Sequence, residues 1–168
     1  DNDEGIDLEV VGDEVPWGIC GSGLIDLVAE LLRTGAIDNR GTMHETSDSP
    51  YQRYIEEDSS GMLQLLVTRE YRAIYLTQKD IREFQLAKGA VRAGIDIALK
   101  ECGVEIEDVG AVYLAGAFGN YVRRESILRV GMLPPFPAPI VRTVGNAAGQ
   151  GAKIALLNRR KWAEVKRL

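Results

Sequence analysis

Apolar positions recur along the chain in two rhythms, and the changes of rhythm locate its elements. In "GSGLIDLVAELLRTGAI", Leu24, Leu27, Val28, Leu31 and Leu32 return every three or four residues, which makes one face of a helix apolar, and Gly35 supplies the stop. "TQKDIREFQLAKGAVRAGIDIALKECG" keeps that period for longer. Thr77 suits the N-cap, Asp80 stands three residues on to complete a capping box, and Gly103 ends the run. Its apolar residues form two stripes, Ile81, Phe84, Ala87, Val91 and Ala98 on one side and Leu86, Ala90, Ala93 and Ile97 on another. That pattern predicts a helix lodged between two layers. Gly89 and Gly94 each oppose a helix by about 1 kcal/mol relative to alanine, so they predict a close neighbour that offsets them.

Shorter β-branched and aromatic runs predict strands. "LEVVG" closes at Gly12, and "MLQLLVTREYRAIYLT" reads as a hairpin turning at "REYR". "VGAVYLAGAFG" reads as a buried strand with a glycine-rich exit, "RRESILRVGML" as a short helix, "PPFPAP" as a stiff connection and "IVRTV" as a further strand. "GNAAGQGAKIALLNRRKWAEV" predicts one helix with a small-residue start, and residues 38–61, rich in Asp, Ser, Thr, Glu and Gly, predict a long polar loop or insertion. Strands alternating with helices after an early hairpin predict an α/β domain with helices packed on a mixed sheet.

Composition narrows the classes. With 168 residues, 45% of them hydrophobic and 27% charged, the chain can bury a core, as one domain or as part of a larger one. No apolar run approaches the roughly 20 residues that span a bilayer, so no membrane partner is expected. The acidic start "DNDEGIDLEV" lacks the pattern of an export signal, which predicts a cytoplasmic location, and the missing initiator Met predicts a fragment or a processed product. A net charge of −5 disfavours binding to a nucleic-acid backbone, and the basic "NRRKWAEVKRL" reads as a solvated helix end. Cys20 and Cys102 match no metal-ligand spacing, and His44 stands alone in a polar stretch, so no catalytic residue and no metal site is expected. No H-E-x-x-H or G-x-S-x-G motif is present to support zinc chemistry or a hydrolytic triad.

Three glycine-rich segments share one placement, each between a strand or loop and a helix: "GICGSG" at 18–23, "AGAFGN" at 115–120 and "VGNAAGQG" at 144–151. Ligands of open α/β sheets sit beyond the carboxyl ends of strands, where helix starts offer N–H groups to anions. Three such boundaries converging on one crevice predict a nucleotide site. Taken singly, each is equally consistent with close helix-on-sheet packing, since neither G-x-G-x-x-G nor a Walker motif is present.

"GICGSGLIDLVAELLRTGAID", "LTQKDIREFQLAKGAVRAGIDIALKECG", "VYLAGAFGNY" and "VGNAAGQGA", in this order, resemble the C-terminal region of the reductive activators of corrinoid enzymes. These are ATP-dependent proteins of the actin, Hsp70 and sugar-kinase superfamily. The resemblance runs over nearly the whole chain. It implies a ribonuclease-H-like subdomain with a mixed sheet flanked by helices, the second half of an actin-like ATPase fold, over residues 1–168. It also implies a parent that uses ATP with Mg²⁺ and an N-terminal plant-type [2Fe-2S] domain to reduce the inactive cob(II)amide of corrinoid methyl-transfer proteins to cob(I)amide. The implied partners are a corrinoid protein or corrinoid iron-sulfur protein and the remainder of the parent chain, and a homodimeric parent is left open.

Residue by residue, the resemblance places Gly116, Ala117, Phe118, Gly119 and Asn120 near base and ribose, and Gly145, Asn146, Ala147 and Gly149 beside the nucleotide or the interdomain hinge. Gly21, Ser22 and Gly23 are similar to a small-residue turn of the related dehydratase activators that approaches the phosphates. Cys20 is not carried over as a cluster ligand, because corrinoid activators keep iron and sulfur elsewhere. The two Asp-x-Gly-Thr phosphate motifs of the superfamily and the four cysteines of a plant-type cluster are absent from these residues. The chain by itself is therefore expected to bind no cofactor and to be inactive. The alternative reading is a module that docks the corrinoid protein without binding nucleotide alone, using the 38–61 loop and the "YVRRES" turn with Arg123 and Arg124.

Overall fold

A computed structural model describes residues 6–45, 48–116 and 121–167. Helix α1, Gly21–Thr34, starts where the Cys20 side chain accepts from the Gly23 N–H and stops at Gly35 in the left-handed conformation. Its inward face supplies Ile25, Val28, Ala29 and Leu31, the last fully buried. The chain then turns back through a bridge between Ile37 and Met43, and both side chains enter the same core.

The 38–61 stretch is less open than its composition predicts. It holds a 3₁₀ turn at Gln52–Tyr54 and strand β1, Ile55–Glu57. Tyr51, Tyr54 and Ile55 pack against the core, which is why so polar a segment is held in place. The expected hairpin follows as β2, Leu63–Thr68, and β3, Ile74–Thr77, giving an antiparallel sheet in the order β1-β2-β3. Leu65, Val67, Ile74 and Leu76 point into the core. "LEVVG" forms no strand: the Asp13 N–H donates to the Val10 carbonyl in a turn with Gly12 at φ 82° and Asp13 at φ 53°. No described strand lies beside this segment to pair with it, and Val11 stays exposed.

Helix α2, Gln78–Cys102, begins on the full capping box of Thr77 and Asp80 and ends on Gly103 in the left-handed conformation, as its sequence predicts. Its first two turns enter the core through Ile81 and Phe84, and further along Ile95 and Leu99 pack against it partly buried. The predicted burial of two faces does not hold within this chain, where Leu86 is 70% exposed, Ile97 61% and Val91 46%. A side chain placed at Gly89 or Gly94 would meet nothing within 4 Å, so no close neighbour explains these glycines here. The periodicity reports what the helix is able to bury, whereas the tertiary structure decides what covers it. Polar side chains fasten its start instead: the Gln78 amide accepts from Met43 N–H at 2.8 Å and donates to the Gly41 carbonyl at 2.7 Å.

Strand β4, Val112–Ala115, pairs in parallel with β5, Val141–Gly145, and the crossover carries helix α3, Arg124–Arg129. The α/β class is as expected, with the strands divided between an antiparallel and a parallel sheet. β4 is only half buried, with Tyr113 60% exposed. The last predicted helix is two helices, α4, Ala147–Leu157, and α5, Arg159–Val165. They part at Asn158, which leaves helical geometry at φ −133° and caps α5 by accepting from Arg160 and Lys161 N–H. Among the described residues, no helix is long and apolar enough to cross a membrane.

Candidate functional site

Two of the three glycine-rich segments meet at the ends of the parallel strands. Ala115 stands opposite Gly145, and the Gly116 N–H donates to the Gly145 carbonyl at 2.7 Å. The register slips just before this pair, because β5 carries one residue more, Val144, between its contacts with Leu114 and Ala115. Gly116 has φ 95° and Gly145 φ 62°, left-handed values that β-branched and bulky residues resist. Conformation thus requires both glycines. A side chain at Gly116 would meet none of the described residues within 4 Å, so one side of this platform is open among them.

Beyond Gly145, Asn146 caps α4, its Oδ1 accepting from Gly149 N–H at 2.9 Å. A Cβ at Gly149 would stand 2.7 Å from the Asn146 amide, so a side chain there would displace the cap. Ala147 and Ala148 begin the helix with amides that have no hydrogen-bond partner among the described residues, the open donors of a helix start. Small uncharged side chains, an open face and free N–H groups fit one wall of an adenosine pocket. The predicted site residues Ala117, Phe118, Gly119 and Asn120 lie outside the described residues.

Gly21, Ser22 and Gly23 form the first turn of α1. The Gly23 N–H donates to Cys20 Sγ at 3.4 Å, and Ser22 Oγ lies 3.3 Å from the same sulfur. The Ser22 hydroxyl foremost, with the Gly23 N–H, holds the Cys20 thiol below its ordinary pKa. No hydrogen bond joins this turn to Gly116 or Gly145. The link is indirect: Arg123, just past the second glycine segment, pairs with Asp26 of α1 at 3.1 Å. Asp26 was invisible to motif reading, for its partner is 97 residues away in sequence.

Glu30, one turn further along α1, accepts from Arg33 at 2.6 and 2.8 Å and from the Tyr51 hydroxyl at 3.3 Å. Arg33 foremost draws its carboxyl below the usual range, while burial opposes the shift. Cys102 is exposed at the far end of α2, and His44 stands 3.6 Å from the Asp38 carboxylate in an exposed turn. Among the described residues, no three of His, Cys, Asp and Glu gather as metal ligands would.

The full length of the chain, residues 1–168, matches the family described as the C-terminal domain of RACo, the ASKHA domain. It belongs to that family, and its α/β fold is an ASKHA-domain fold. A solved "Reductive activator for corrinoid,iron-sulfur protein" superposes with a TM-score of 0.82 at 35% identity, over 95% of this chain and 26% of that one. The corrinoid activation enzyme RamQ of Eubacterium limosum is 34% identical over an alignment of 167 positions that covers 92% of this chain and 27% of RamQ. The [Co(II) methylated amine-specific corrinoid protein] reductase of Methanosarcina barkeri is 34% identical over 92 residues, 55% of this chain and 17% of the reductase. The chain thus spans about a quarter of the length of RamQ and of the solved activator.

Proposed function

We propose that this chain is the nucleotide-side subdomain of an ATP-dependent activator that returns the cob(II)amide of a corrinoid methyl-transfer protein to cob(I)amide. The observation that carries the reading is the bonded pair Gly116 and Gly145, which sets two strand ends and a helix start side by side with one face open. Adenosine lies against that face, and the amides of Ala147 and Ala148 are its nearest open donors. Gly21, Ser22 and Gly23 approach the same nucleotide from α1, and residues 117–120 complete the base and ribose wall.

ATP with Mg²⁺, when bound, supplies the driving force for the reduction, and the electron comes from a [2Fe-2S] domain outside these residues. The two Asp-x-Gly-Thr phosphate motifs and the cluster cysteines are not among them, so the chain's own part is to hold the adenosine end. Its working partners are a corrinoid protein and the remainder of the parent chain. The uncovered α2 face at Leu86 and Ile97 and the exposed α4 residues Leu156 and Leu157 suit contact with that remainder.

Calorimetric titration of ATP into this chain and into the whole activator tests the reading. Tight binding is expected only in the whole protein, because stacking and ribose contacts without phosphate ligands leave a dissociation constant of about 1 mM. Replacing Asn146 by Ala and Gly149 by Ala together in the whole protein should weaken ATP at least tenfold. Unchanged affinity in that folded variant rejects the site.

A further inference from the structure

A groove of about 410 Å³, whose lining includes neither Gly116 nor Gly145, lies between the 17–19 segment and β3. Its lining includes Trp17, Ile19, Leu24, Arg72, Ile74 and Leu76. β3 ends its sheet, so the side away from β2 has no strand partner among the described residues. A strand edge of this kind offers unpaired N–H and C=O groups to an incoming segment. Ile74 and Leu76 are buried, and Ile19 and Leu24 partly so, which makes the floor apolar.

The rim has a different chemistry. Trp17 is 62% and Tyr71 61% exposed, and their rings meet edge to face at 5.4 Å. The Arg72 guanidinium lies over the Trp17 ring, 5.1 Å from its centroid. That stacking fixes a planar cation in place, and among the described residues no carboxylate pairs with it. Neighbouring Arg69, in contrast, is matched to Glu56 at 3.0 Å. Trp, Tyr and Arg are the side chains that most often concentrate binding energy at protein interfaces.

We propose that this groove takes an extended segment of a partner protein, laid alongside β3 as an added strand, with an aliphatic side chain on the apolar floor and a carboxylate on Arg72. The pleat sets the register. Arg72 stands in the bend just before β3, two residues from Ile74 and four from Leu76, so a segment that seats an aliphatic side chain beside Ile74 presents its acid two residues away, at the end of the added strand. One unpaired guanidinium suits one carboxylate and is too little for a polyphosphate. The proposal is independent of the nucleotide reading.

The test uses the whole protein carrying Trp162→Phe, which removes the other tryptophan of these residues, and as probe the capped peptide acetyl-Glu-Thr-Val-Thr-Val-amide, whose acid stands two residues from a valine on the same strand face. Amide resonances of residues 72–76 should shift on titration, and acrylamide quenching of Trp17 should fall. Arg72→Glu, a surface change, should weaken the peptide at least tenfold, and the same peptide with Lys in place of Glu should recover binding to that variant. Three results overturn the proposal: shifts that map away from β3, equal shifts with free glutamate or ATP alone, and a Trp17 already shielded from acrylamide in the whole protein.

Discussion

Arg123 Nε lies 3.1 Å from Asp26 Oδ2, and this pair ties α1 to the chain just past the second glycine segment. The two ends differ in their surroundings, since the Arg123 side chain is 69% exposed and that of Asp26 only 19%. Asp26 Oδ1 is buried with no hydrogen-bond partner among the described residues, so among them the carboxylate depends on Arg123. Removing the cation strands a mostly buried charge, whereas removing both charges does not. Arg123→Ala should therefore cost about 1–3 kcal/mol in urea unfolding, and the double variant Asp26→Asn, Arg123→Ala should be the more stable of the two. Equal stability of the single and double variants would show the pair to be idle.

The Asn146 cap and Gly149 predict each other. Alanine at 149 forces the Asn146 side chain out of its hydrogen bond. Asn146→Ala should destabilise α4 by about 1 kcal/mol, Gly149→Ala by less because the helix preference of alanine over glycine offsets part of the lost cap, and the double variant by no more than Asn146→Ala alone. Hydrogen exchange at the first amides of α4 reads this directly, and strictly additive losses would contradict it.

Gly116 is a conformational requirement before it is a binding one. Valine at φ 95° is strained, though a side chain there would clash with nothing. Gly116→Val should lower stability by about 1–3 kcal/mol, and the pairing of Gly116 N–H with Gly145 should loosen first. A variant as stable as the parent, with that amide still protected from exchange, would count against the strain argument.

Cys20 should react as a thiolate at lower pH than an ordinary cysteine, because hydrogen bonds from Ser22 and Gly23 favour the charged form. The half-point of its alkylation by iodoacetamide against pH should fall below that of an ordinary cysteine, about 8.5. Ser22→Ala should move that half-point up by removing the largest contribution. A half-point at or above the ordinary value in the unaltered chain refutes the geometry of this turn.

Helix α2 offers a contrast along one element. Ile81→Ala, at a position with no exposed surface, should cost about 2–5 kcal/mol. Leu86→Lys, at a position 70% exposed, should change the stability of this chain by less than about 0.5 kcal/mol. Thermal melts of the two variants decide the matter, and a large loss at Leu86 would mean that its face is covered.

What the residues settle by themselves is local. The Thr77 and Asp80 capping box, the stops at Gly35 and Gly103, the turn at "REYR" and the family itself were all legible, because each depends on side chains within a few positions of one another. Misreadings arose where a local pattern needed a distant partner. "LEVVG" has strand composition but no described strand beside it, "QRYIEE" has polar composition yet joins β2, and the second stripe of α2 has no cover within this chain. Only the tertiary structure paired Asp26 with Arg123, Gly116 with Gly145 and Trp17 with Arg72. Contacts between residues so far apart depend on how whole elements pack, and no short stretch of sequence encodes that.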